Sequence, residues 1–157
     1  MRDGYALETI IAYLNESPVV YGFVTLNDSA GVFGTKADEK PFEIGIAGDT
    51  GDTSVIGSVQ TESGYVFIAS DAVNCQTGEA AASDLSRVVV LTDDAVAANG
   101  LAGALYAMGY DAGQALYDSA DKAFEAVFFL HDGTVKLTDG AYRTGLYHPV
   151  STDAKEK

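Results

Sequence analysis

RVVVLTDDAVAANGLAGALYAMG, residues 87–109, decides the architecture. RVVVLT (87–92) is continuously apolar in its middle, as expected of a strand buried on both faces. Asp93 and Asp94 follow as N-cap and first-turn residues, where a carboxylate accepts from free backbone N–H groups. No charge then appears through Gly109. At about 100° per residue, Leu101, Leu105 and Met108 share one helix face and form the expected core stripe. The opposite face carries Asn99, Gly100 and Gly103, with Val96 above it. Two glycines inside a helix each cost about 1 kcal/mol relative to Ala, so this small, uncharged face calls for a reason.

The elements on either side alternate in period. GYALETIIAYLN (4–15) has helical spacing, with Asp3 as its cap and Pro18 beyond its end. VVYGFVTL (19–26) reads as a strand, and NDSAGVFG (27–34) turns back as a second. FEIGIA (42–47), VIGSVQ (55–60) and YVFIAS (65–70) are further strands, the last two joined by the short loop TESG. NCQTGEAAASDLS (74–86) is a loop of small and polar residues. After the central helix, DAGQALYDSADKAF (111–124) is amphipathic, with Ala115, Leu116 and Phe124 inward. AVFFL (126–130), a turn at Asp132–Gly133 and VKLTDG make a hairpin. A polar, frayed tail is expected over 141–157. The order predicts an α+β domain, helices packed on largely antiparallel sheets, over residues 1–140.

Composition narrows the function classes. The chain has 157 residues, 47% hydrophobic and 20% charged, which suits a globular domain with a sizeable core. Nine Lys+Arg stand against 23 Asp+Glu, a net charge of -14, which disfavours a nucleic-acid backbone or an anionic membrane as partner. No run approaches the ~18 apolar residues of a membrane span, so no direct membrane insertion is expected. The single cysteine, Cys75, excludes an internal disulfide framework and any multi-cysteine metal site. No secretory leader is visible at MRDGYALETIIAYL. The compartment stays open, cytoplasmic if Met1 is native and extracytoplasmic if the chain is trimmed.

Catalytic constellations are thin. His131 sits at a turn and His148 in the tail, and neither has a nucleophile or metal partner nearby in sequence. GDTGDTS (48–54) carries Asp49 and Asp52 but lacks the spacing and closing Glu of a calcium loop, so it reads as turn chemistry. Phosphate loops, dinucleotide fingerprints and nucleophile elbows are absent from the sequence. Tyr5 and Tyr65 have rings that can stack on a flat ligand, although tyrosines of this kind also serve as core edges.

Taken in order, the short motifs resemble the C-terminal part of the bacterial FAD:protein FMN transferases (ApbE-like flavin transferases, once called thiamine-biosynthesis lipoproteins). Asp3–Gly4–Tyr5–Ala6 is similar to the family's Lys-Gly-Tyr-Ala turn. VVYGFVTLNDSAGVFG resembles its strand, Gly-Gly turn and returning strand, with Asn27–Asp28 in the place of the glycines. TKADEKPFEIGI resembles its lysine, aspartate and Trp-x-Ile-Gly-Ile run, and Thr77–Gly78 its Thr-Gly. VVVLTDDAVAANGLAGALYAMG is similar to its Val-Thr-Val strand and Ala-Asp-Ala-Leu-Ala-Thr-Ala-Leu helix. The likeness spans residues 2–140.

This resemblance implies a T-fold-like flavin-transferase domain lacking the N-terminal part. In the family, FMN passes from FAD to a threonine or serine of an acceptor protein with Mg2+. A helix Asp and Thr, four residues apart, hold that ion beside the flavin pyrophosphate. The matching positions here are Asn99 and Gly103, a neutral amide and no side chain at all. The family's Thr-Ser-Gly and His-Ile-Ile-Asp-Pro runs are compressed into YVFIASDAVNCQTG, where Asp71 and Asn74 are the nearest polar residues. The implied vestigial cofactor-binding set is Gly4, Tyr5, Asn27, Asp28, Asp71, Asn99 and Gly103, with no metal ligand assigned.

Three readings follow from the resemblance. The first is a catalytically inactive relative retained as a binding or scaffold domain, with no cofactor expected. The second is an active fragment, using FAD and Mg2+, that another chain or segment completes. The third is an interaction subunit, a homo-oligomer or one bound to a partner chain, joined through the surface that the missing N-terminal part would cover.

Overall fold

The computed structural model describes residues 2–48 and 54–150. The aspartates of the 48–54 loop, Asp49 and Asp52, lie outside the described residues. Helix α1 (Arg2–Asn15) is followed by strands β1 (Tyr21–Leu26), β2 (Ser29–Gly34), β3 (Phe42–Ala47), β4 (Val55–Thr61), β5 (Gly64–Ala69) and β6 (Leu85–Thr92). Helices α2 (Ala95–Met108) and α3 (Tyr110–Ser119) come next, then β7 (Glu125–Leu130), β8 (Val135–Leu137), α4 (Asp139–Thr144) and β9 (Tyr147–Pro149). The expected α+β class with antiparallel sheets is what forms.

A six-stranded sheet of order β1-β2-β5-β6-β7-β8 makes the central layer, and a three-stranded sheet, β3-β4-β9, covers one of its faces. Neighbouring strands in both sheets run antiparallel. Helices α1, α2 and α3 cover the other face, while α4 packs through Ala141 on the side of the small sheet. Strand β6 explains the layering directly: Val88 and Val90 point into the helical core with Leu7, Leu105, Tyr117 and Phe128. Val89 points the other way, to Ile46, Val59, Val66 and Val127. A strand buried on both faces is what its continuous apolar run predicts. Each fully buried side chain of this kind contributes about 1.5–3 kcal/mol.

Four expectations change. On α2 the buried residues are Ala95, Ala98, Ala102, Leu105 and Tyr106, while Leu101 is half-buried and Met108 exposed. Small alanines let the helix lie close on the sheet and on α1, and that close approach selects the buried face over the larger side chains. In α3 the inward residues are Gly113 and Tyr117; Leu116 is half-buried and Ala115 faces solvent. Phe124 is buried but lies beyond the helix, past a turn in which Asp121 and Lys122 take positive φ, and its ring meets Tyr117 edge-on at 5.5 Å. Asp3 lies within the first turn of α1, and its side chain bonds elsewhere.

Within the expected polar tail, the described residues 141–150 are structured. Ala141 and Leu146 are buried, Tyr147 packs edge-on against Phe129 at 5.5 Å, and β9 pairs with β4. Local polarity hid three residues whose partners are all distant in sequence.

Candidate functional site

Gly4 brings the first two parts of the site together. A Cβ at this position would overlap the Ala95 carbonyl oxygen and stand 3.0 Å from the Val96 Cα, so only glycine lets α1 touch the first turn of α2. At that contact the Gly4 backbone N–H donates to Asn99 Oδ1 at 3.3 Å. The donor is one of the N-terminal amides that a helix leaves unpaired, and a side-chain oxygen from a neighbouring helix satisfies it.

The β1–β2 hairpin supplies the next part. Its turn consists of Asn27 and Asp28, and Asn27 takes φ of 51°, a left-handed conformation that asparagine tolerates. From there Asn27 Nδ2 donates to Asp3 Oδ2 at 2.8 Å. This hydrogen bond is the largest reason that the Asp3 carboxyl lies below its ordinary value of 3.8; the Arg2 side chain, 3.4 Å away, acts in the same direction. The Asp28 carbonyl accepts from the Ile68 N–H at 2.9 Å, which ties the turn to the end of β5. Asp71 follows that strand end and is exposed.

Of the residues expected from sequence, Gly4, Asn27 and Asn99 are thus joined through Asp3 and the α1–α2 contact, and Asp28 adjoins them. Gly103 lies one helical turn beyond Asn99, on open space: nothing stands within 4 Å of where its Cβ would be. The Tyr5 ring is largely exposed at the start of α1, and Tyr65 is half-buried, its hydroxyl pushed up by burial and then by Glu8 and Asp94. Asn27 and Asp28 also line a cleft of about 170 Å3 between the two sheets, with Ile44, Val66 and Ile68.

A magnesium ion is a hard cation that takes oxygen ligands in near-octahedral geometry, usually one or two carboxylates plus waters and phosphate. Here the Asn99 oxygen already accepts the Gly4 N–H, and Gly103 has no donor atom. Among the described residues no three His, Cys, Asp or Glu side chains gather as a metal-binding group. The residues on this helix face do not fit the ion.

One feature of the structure was hidden in the sequence. Arg87 is the single charge inside β6 and is buried, with 8% of its surface exposed. Its guanidinium donates to the carbonyls of Ala47 and Gly48, the latter at 2.9 Å, and so pins the end of β3 across to β6. It lines a cleft of about 490 Å3 with Ile56, Phe129, His131 and Tyr147. A lone arginine within an apolar strand was the available signal. The carbonyls of Ala47 and Gly48, being backbone atoms, left no mark on the sequence.

The ApbE family model matches residues 1–128. No curated protein matches the chain. Among solved structures, the ApbE protein of Thermotoga maritima superposes with a TM-score of 0.73 at 22% identity, covering 90% of this chain and 50% of that one. The apo form of the flavinyl transferase ApbE of Pseudomonas stutzeri gives 0.73 at 22% identity, with 91% and 48% covered. The flavin transferase ApbE of Vibrio cholerae gives 0.76 at 18%, with 89% and 49% covered. This chain spans about half the length of these proteins.

Proposed function

We infer that this chain, which belongs to the ApbE family, keeps a flavin-transferase-like fold as a binding or scaffold domain and does not itself carry out Mg2+-dependent transfer of FMN from FAD. The observation that carries this reading is the pairing of Asn99 with Gly4 above an empty Gly103. Where a metal-holding face would need two outward oxygen donors on one side of α2, one oxygen is turned to a helix amide and the other is missing. Without a cation, a diphosphate would also approach a chain of net charge -14, an unfavourable encounter. The test is incubation of the purified chain with FAD, Mg2+ and a threonine-containing acceptor. No AMP release and no flavin attached to the acceptor are expected; turnover above the protein-free blank overturns the reading.

A second reading, an active fragment completed by another chain or segment, draws on the exposure of Asp28 and Asp71 and on the open space at Gly103. Titration of FAD with and without Mg2+ separates the two. A Mg2+-dependent change in flavin fluorescence favours the second reading, and a flat titration favours the first.

A further inference from the structure

Helix α4 owes its cap to other elements. Thr138 stands at its N-cap position, yet the Thr138 hydroxyl donates to Glu125 Oε2 of β7 and accepts from the Ala126 N–H at 3.1 Å. The second and third amides of the helix are met from outside it. The Gly140 N–H donates to the Tyr117 hydroxyl of α3 at 3.3 Å, and the Ala141 N–H to Glu125 Oε2 at 2.8 Å. A helix of six residues is too short to hold itself in water, so these two side chains decide whether α4 forms.

Gly140 is what admits the Glu125 cap. A Cβ at this position would overlap the Glu125 carboxylate, with Oε2 at 2.7 Å. Beyond it Tyr142, Arg143, Thr144 and Gly145 are exposed, and the buried residues between Asp139 and Val150 are Ala141 and Leu146. The far end is fastened by β9, whose three residues pair with β4, and by the Gln60 N–H, which donates to the Leu146 carbonyl at 2.8 Å. The Lys122–Asp139 ion pair at 3.1 Å is solvent-exposed and adds little. The segment thus has a small apolar anchor and a hydrogen-bonded fastening at each end. Segments with few buried apolar contacts open at lower cost than the core.

We propose that α4 and β9 form a strap that opens as one unit while the other strands of both sheets stay folded, with Glu125 as its latch. Tyr147 of β9 is one wall of the cleft of about 490 Å3 that Arg87 lines. Its ring lies against Phe129, and its hydroxyl donates to the Ile56 carbonyl at 3.4 Å. When the strap opens it takes this wall with it, so its position sets how far the cleft is open. The strap uses no residue of α2 and does not depend on whether flavin chemistry is retained.

Amide hydrogen exchange of the purified chain, resolved by NMR under native conditions, tests the proposal. The amides of Tyr142, Leu146 and Gln60 are expected to share one opening equilibrium and to exchange faster than those of Val88, Val89 and Val90. Two variants act from opposite ends. Gly140→Ala raises helix propensity but pushes the Glu125 carboxylate off the Ala141 amide, and Leu146→Ala removes the far anchor. Each is expected to quicken all three amides together by about tenfold or more, with β6 still the slower. Exchange in step with β6 in the wild-type chain overturns the proposal, since the segment then opens only with the whole fold. So does a variant that quickens the amides of its own end alone. A Gly140→Ala chain in which they slow also overturns it, because propensity and not the latch then governs α4.

Discussion

Gly4 and Ala95 are in contact backbone to backbone: a methyl group on Gly4 would lie 2.9 Å from the Ala95 carbonyl carbon and overlap its oxygen. Gly103, on the same helix as Ala95, has nothing within 4 Å. The two glycines therefore predict opposite responses to one substitution. Gly4→Ala forces α1 away from α2 and is expected to destabilise the fold by about 1–3 kcal/mol. Gly103→Ala meets open space and gains helix propensity, for a stabilisation of about 1 kcal/mol. Urea unfolding midpoints at constant m-value distinguish the two.

The Asp3–Asn27 hydrogen bond predicts a pH response. Because the folded Asp3 carboxyl lies below its ordinary 3.8, its contribution to stability is present above that value and is lost as pH falls through the lower, folded one. Asn27→Ala removes the largest cause of the depression. In an NMR titration its Asp3 carboxyl is expected to return toward 3.8, and an unchanged titration counts against the bond.

Glu125 holds the C-terminal elements in place. Its Oε2 accepts from the Ala141 N–H at 2.8 Å, from the Thr138 hydroxyl and from the buried Tyr117 hydroxyl at 3.4 Å. Glu125→Ala leaves these donors without that acceptor, at an expected cost of about 1–3 kcal/mol. Faster hydrogen exchange at Ala141 and Leu146, with β6 still protected, would show that α4 and β9 release first. Glu125→Gln keeps an acceptor and is expected to lose less.

Restoring oxygen donors tests the reading of α2. The double substitution Asn99→Asp and Gly103→Thr places a carboxylate and a hydroxyl four residues apart on one helix face. The space beside Gly103 admits the threonine. Calorimetric titration is expected to show Mg2+-dependent FAD binding that is stronger than in the wild-type chain. No gain removes the main support for a lost metal face.

Much of the fold was legible because its signals are local. The valine run of β6, the Asp94 cap whose carboxylate accepts from the Ala97 N–H at 2.8 Å, and the Asp132–Gly133 turn each show in a few adjacent residues. The core face of α2 was not. Periodicity chose the larger Leu101 and Met108, whereas close packing chose the alanines. The α4–β9 segment escaped for a similar reason, since Ala141, Leu146 and Tyr147 are held by Glu125, β4 and Phe129.

By itself, then, the sequence determined the alternation of helix and strand, the antiparallel α+β class, the family likeness, and that neither Asn99 nor Gly103 carries a carboxylate or hydroxyl. These follow from side-chain period, turn chemistry and residue identity, all readable along the chain. Only the tertiary structure decided that Asn99 turns its oxygen to Gly4, that Asn27 reaches Asp3, that Arg87 clasps the end of β3, and that β1 is an outer strand of the larger sheet among the described residues. Those outcomes depend on which backbone amides, carbonyls and sheet edges meet, and every residue type but proline carries the same donor and acceptor.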